Sequence, residues 1–189
     1  MVTWLLKNKR YLYLIAGIFS ILWMFFYFKN LLNVPFHPDE STQIFMSKDV
    51  EIIINNTSDL YFQADTQNSI EQNYRLLDAP LPKYFIGIFR IIFNLEAISF
   101  DWDWSKSWTD NQNAIPGYQL LLISRLSAAF FFPLSIILFA FILKEVFKSD
   151  NLLIFLSLML FAFNSLLLLH TRRAMAESSM IFFLLLSLF

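Results

Sequence analysis

Apolar residues run in long unbroken blocks near both ends of this chain, and one polar stretch separates them. Residues 12–28, 126–143 and 152–169 are almost uninterrupted, and a fourth run, 180–189, is cut short at the last residue. A surface helix of a soluble protein would break such a run with polar residues every turn, and these lack that rhythm. Each of the first three is long enough to cross ~30 Å of hydrocarbon at ~1.5 Å per residue. The pattern predicts membrane spans over about 11–32, 120–143 and 152–169, with an incomplete one over 179–189.

The polar stretch, 33–117, carries twelve of the fifteen Asp and Glu residues. It is read as a long external first loop rather than an independent soluble domain, because its apolar residues come in short bursts. Ile44, Phe45, Ile52 and Ile53 fall at mixed helical spacing. Residues 84–95 are apolar except for Gly87, Arg90 and Asn94, too short to span, which predicts a helix lying in the membrane interface. Trp102, Trp104 and Trp108 read as an interfacial aromatic belt, with sugar stacking as the sharper alternative. Asn55-Asn56-Thr57-Ser58 is a polar turn holding two overlapping glycosylation sequons, meaningful only in a secretory-pathway host. The fold class predicted is all-α integral membrane: a multi-span helical bundle whose external loop carries interfacial helices.

Charge orients the bundle. Lys7, Lys9 and Arg10 precede the first run with no acid among them, which places the N-terminus in the cytoplasm. Span counting then puts 33–117 outside, Lys144 and Lys148 inside, and 170–177 outside again. The first run is longer than a signal-peptide core and lacks a small-residue cleavage site after it, so it reads as a retained anchor. Two distant polar segments therefore share one face of a plasma (inner) membrane.

Composition narrows the chemistry. The chain is 57% hydrophobic and only 15% charged, against about a quarter charged in soluble domains. No cysteine is present, which excludes disulfides, thiolate nucleophiles and Cys-ligated metals. A net charge of −1 gives no electrostatic footprint for nucleic acid. The run ending at Phe189 inside an apolar helix is read as the N-terminal part of a larger membrane protein or a truncated product.

Three segments could carry chemistry. Phe36-His37-Pro38-Asp39-Glu40 sets a carboxylate pair just beyond the first span; Pro38 starts a helix there, and the plain alternative is that Asp39 only caps it. Arg75-Leu76-Leu77-Asp78-Ala79-Pro80-Leu81-Pro82-Lys83 places Asp78 and Lys83 around two helix-starting prolines, where Asp78 could equally be a turn or cap residue. His170-Thr171-Arg172-Arg173-Ala174-Met175-Ala176-Glu177 lies between apolar helices, where ionisable groups pair or bind a ligand; an Arg–Glu pair or snorkelling arginines are the structural alternatives. Arginine forks match phosphate oxygens. A carboxylate can accept a proton from an acceptor hydroxyl, and a divalent cation could bridge carboxylates and phosphate.

At these positions the chain resembles the C superfamily of membrane glycosyltransferases, closest to the branch of protein O-mannosyltransferases and lipid A aminoarabinose transferases. The resemblance rests on an ordered set: Asp39-Glu40 opening the first external loop, Asp78-Ala79-Pro80-Leu81 leading an interfacial helix, Ser124-Arg125-Leu126, and Arg173-Ala174-Met175-Ala176-Glu177. Ala79 departs from the His or Lys that relatives often carry, and relatives have many more spans. The resemblance implies Asp39 as catalytic base with Glu40 as its partner. Donor and substrate contacts are then expected at Asp78, Lys83, Arg172, Arg173 and Glu177, with Asp39 and Asp78 the candidates for any metal. The expected reaction is transfer of a sugar from a polyprenyl-phosphate donor to an acceptor hydroxyl at the external membrane face. The first rival is a non-catalytic membrane or assembly subunit in which the acids only cap helices; the second, a transporter fragment, would place charges within the spans, and these spans are nearly uncharged.

Overall fold

A computed structural model describes residues 9–62, 69–148 and 150–189. Lys7, part of the basic tail, lies outside them. The described residues form helices and turns with no strand.

The first apolar run becomes α1 (Lys9–Lys29), followed by a 3₁₀ turn over Leu31–Asn33. The polar stretch supplies four helices: α2 (Pro38–Met46), α3 (Asp49–Asn55), α4 (Ile70–Leu77) and α5 (Pro80–Ile92). Then come α6 (Tyr118–Ala129) and α7 (Phe131–Phe147), α8 (Asn151–Ala162), α9 (Ser165–His170) and α10 (Glu177–Leu188).

α6 and α7 run on as one rod of 30 residues, Tyr118–Phe147. Among the described residues it is the one helix long and apolar enough to cross a membrane by length and composition. Pro133 explains the single-residue break at Phe130: it has no N–H to give the Ala129 carbonyl one turn back. The Tyr27 hydroxyl stands 3.4 Å from that carbonyl. The same hydroxyl is 3.0 Å from both the carbonyl and the side-chain oxygen of Thr171, so one tyrosine ties α1, the α6–α7 break and the end of α9.

The third apolar run does not form the single helix expected over 152–169. It breaks at Asn164, whose side-chain oxygen accepts from Leu166 N at 3.0 Å and Leu167 N at 3.1 Å. That capping starts α9 as a separate helix. Asn164 is the one asparagine in the run, and hydropathy averaging hides it.

The bundle has two storeys. In the apolar one, α7 packs against α8 on one side and α10 on the other. Tyr27, Leu31, Ala129 and Phe132 form its buried centre. In the polar one, α5 packs on α2, α3 and α6, around buried Ile44, Ile86, Leu120 and Ala174. α5 is inverted relative to a soluble helix. Its buried stripe includes Lys83 and Arg90, while Ile88, Ile91 and Ile92 face outward. Gly87 is required where α5 crosses α3, because a Cβ there would lie 2.5 Å from the Ser47 carbonyl oxygen and collide with Val50.

Candidate active site

His37, not Asp39, caps α2. Its Nδ1 accepts from Asp39 N at 3.3 Å, and the Glu40 carboxylate reaches back to His37 N at 3.0 Å, which closes a capping box. Asp39 is left in the first turn with its side chain half exposed, 3.5 Å from His37 Nδ1. Its carboxylate is not consumed by the helix end.

Glu40 points elsewhere. Consecutive helical residues lie ~100° apart around the axis, and here that angle separates a cavity from the core. Glu40 is fully buried against Arg125, with Arg125 Nε 2.8 Å from Oε2 and Nη2 2.7 Å from Oε1. Ala174 N donates to Oε2 at 2.9 Å. The partner expected for Asp39 is therefore a structural anion joining α2 to α6 and to the 170–177 turn.

Asp39 and Asp78 line one cavity of about 350 Å³ with Glu177. Each comes from a different segment: the first turn of α2, the α4–α5 junction, and the start of α10. Thr42, Gln43 and Tyr74 complete the polar wall, and Trp104 borders it. Asp101 stands behind, accepting from Thr42 Oγ1 at 3.0 Å and from the Tyr74 hydroxyl at 2.5 Å. Burial raises the Asp78 carboxyl above its ordinary range; Lys83 opposes this, and the negative charges of Asp39 and Asp101 add to it. Burial and the bond to Asp101 likewise hold the Tyr74 hydroxyl protonated.

Lys83 does not line this cavity. Its ammonium is buried 3.0 Å from Asp49 Oδ2, and Arg75 forks onto the same carboxylate at 2.6–3.2 Å. Lys83 thus joins a largely buried triad that locks α3, α4 and α5 together, in place of the donor or substrate contact that the resemblance implied.

Arg172 and Arg173 occupy the turn that ends at Glu177. The Arg172 guanidinium lies over the Tyr27 ring at 4.9 Å, and Arg173 is 9% exposed. Neither buried Nε has a hydrogen-bond partner, and the same holds for Glu177 Oε2 and Gln43 Oε1. Glu177 Oε1 is 3.6 Å from His170 Nδ1, beyond a hydrogen bond. Such unpaired groups cost ~1–3 kcal/mol each when left without a partner. Arg172, Arg173 and Glu177 belong to one turn, and Gln43 and Glu177 border the cavity.

The cation expectation fits these residues incompletely. Asp39 and Asp78 share the cavity, but among the described residues no group of three or more His, Asp or Glu side chains is arranged to hold a metal ion. No chemical step below is routed through one.

Arg125 and Asp101 are the residues whose roles sequence reasoning missed, while Trp104 entered it only as one of three tryptophans of a belt or a stacking surface. A charge inside an apolar run demands a partner, and that signal at Arg125 pointed to a buried acid. Nothing local marks Asp101, which matters only because α2 and α4 converge on it. A scan against protein-family models, a search of curated proteins and a search of solved structures each found no match for this chain.

Proposed function

We propose that this chain is the catalytic N-terminal part of an integral-membrane glycosyltransferase that moves a sugar from a polyprenyl-phosphate carrier to an acceptor hydroxyl at the external membrane face. One observation carries the reading. A half-exposed carboxylate, Asp39, is released from capping duty and shares a cavity with Asp78 and Glu177, beside a turn whose two arginines keep unpaired Nε donors.

The membrane setting is supported by apolar side chains turned outward on α1, α8 and α10, including Ile21, Phe25, Leu160 and Leu184. The inverted α5 adds to this, since a helix that buries Lys83 and Arg90 while exposing isoleucines suits an apolar surrounding. Asp39 and the arginine turn would lie at one surface of that membrane.

In this reading Asp39 takes the proton of the acceptor hydroxyl, and the freed oxygen pair attacks the anomeric carbon with inversion. The bond from that carbon to the phosphate oxygen breaks, and polyprenyl phosphate departs with the electron pair. Arg172 and Arg173 stabilise the charge on the leaving phosphate. Glu40 acts as a positioning residue, holding the α2 start against α6. A second reading, a non-catalytic assembly subunit, draws on the engagement of Glu40, Lys83 and Arg125 in buried pairs.

The test is transfer from polyprenyl-phosphate sugars in liposomes, using the protein as its gene encodes it. Asp39→Asn is expected to slow transfer ~10²–10⁴-fold with helix content and unfolding temperature unchanged. Arg173→Ala should weaken donor binding. Full activity in Asp39→Asn removes the base assignment, and no transfer by the wild type from any such donor establishes the assembly reading.

A further inference from the structure

The cavity bordered by Asp39, Asp78 and Glu177 is electrically one-sided. Among the described residues no lysine or arginine lines it. Gln43 is 7% exposed, yet its Oε1 meets no donor while its side chain borders the cavity. Glu177 Oε2 is in the same condition. The hydroxyl hydrogens of Thr42 and Tyr74 are taken by Asp101, so both oxygens present only lone pairs to the cavity. The carboxylates of this wall ask their occupant for hydrogen-bond donors and repel an anion.

Trp104 supplies the remaining side. Its indole is 66% exposed where it borders the cavity. The loop that carries it is held in place: Asn111, itself buried, accepts from Asp103 N at 2.8 Å and donates to the carbonyls of Asp103 at 2.9 Å and Ser107 at 3.0 Å. Trp102, beneath, is buried and meets Trp104 edge-on with ring centroids 6.5 Å apart. The three tryptophans are therefore not equivalent members of a belt. One is core, and one is an exposed ring fixed beside an acceptor-rich wall.

Resting on the glycosyltransferase reading, we infer that this cavity is the acceptor site and that the acceptor is a neutral sugar ring. It stacks on Trp104 while its hydroxyls donate to the carboxylates of the wall, one at Asp78 and one at Asp39 for activation. The phosphate of the donor stays outside, at Arg172 and Arg173, because the carboxylates exclude it. A seryl peptide fits this wall less well: it brings one hydroxyl, and each N–H it offers comes with a carbonyl that would face acceptors. A polyol brings a donor to each lone pair.

The experiment is saturation-transfer NMR on the protein as its gene encodes it, in detergent micelles with no donor present, so that binding is read apart from transfer. The probes are neutral methyl hexosides and pentosides, hexose 1-phosphates, tetramethylammonium and a blocked seryl peptide. Saturable binding of a neutral glycoside is expected, displaced by none of the charged probes. Trp104→Ala, at an exposed position that leaves the fold intact, should weaken it roughly tenfold. Absence of glycoside binding, binding unchanged in Trp104→Ala, or preferred binding of tetramethylammonium, the sugar phosphates or the peptide overturns the inference. Glycoside binding together with a fully active Asp39→Asn leaves the sugar site standing and removes only the base.

Discussion

Glu40 and Arg125, 85 residues apart, form a fully buried fork in which both carboxylate oxygens and all three guanidinium nitrogens are engaged. Arg125 Nη1 also donates to the carbonyls of Leu31 at 2.7 Å and Val34 at 2.8 Å, fastening the chain where it leaves α1. The pair is thus the joint between the apolar storey and the polar one. Removing one partner strands a charge, which costs ~3–5 kcal/mol. Arg125→Met and Glu40→Gln are each expected to lower the unfolding temperature in detergent strongly. The double variant should lose less than the two losses added together, since the second change removes the stranded charge. Simple additivity would mean that the two residues do not act as a pair.

Asp78 should make the fold less stable as pH rises. Its carboxyl titrates above the ordinary range because burial, and then Asp39 and Asp101, oppose its ionisation more than Lys83 favours it. The folded state therefore takes up its proton before the unfolded state does. The stabilisation is complete below the unfolded carboxyl value and is lost as pH climbs through the raised folded value. Asp78→Asn is expected to raise stability at neutral pH and to make no difference at the acid end. Unfolding temperatures of both proteins across that range check it, and a gain confined to the acid end would reverse the assignment.

Gly87→Ala should loosen the seat of α5. The added methyl would sit 2.5 Å from Ser47 O and against Val50, so α3 must shift. Overpacking of this kind costs ~1–3 kcal/mol. The Arg90–Glu51 and Arg90–Ser47 contacts cross the same joint and should loosen with it. Urea unfolding in detergent together with hydrogen exchange over α3 measures both effects.

Topology can be read on a chain with no native cysteine. Ser58 and Lys148 are both exposed, and Lys148 follows the far end of the 30-residue rod. Such a rod is ~45 Å long at ~1.5 Å per residue. Ser58→Cys is expected to react with an impermeant maleimide added outside intact cells, and Lys148→Cys only after the cells are opened. The opposite pattern would invert the orientation.

Local regularities were legible in the sequence. Unbroken apolar runs announced α1, α7, α8 and α10. Pro38 and Pro80 announced the starts of α2 and α5, because a missing N–H and a fixed φ act on their own neighbours. The convergence of Asp39, Asp78 and Glu177 was framed only as a consequence of a shared membrane face. What actually brings them to one cavity is the docking of α2 and α5 and the Glu40–Ala174 bond. Which member of the Asp39–Glu40 pair would face the cavity was not legible, since it depends on where Arg125 arrives from the other end of the chain. Lys83 reads from sequence as a free cation beside two prolines; Asp49, 34 residues earlier, takes it inward. The break at Asn164 escaped because a hydropathy run averages over a single cap. By itself the sequence determined the apolar helices of the ends and the proline-started helices α2 and α5, since those follow from hydrophobic runs and backbone sterics within a few residues. The tertiary structure alone decided which charges are buried partners and which remain open to a ligand, because a buried charge is settled by whichever opposite charge the packing brings to it.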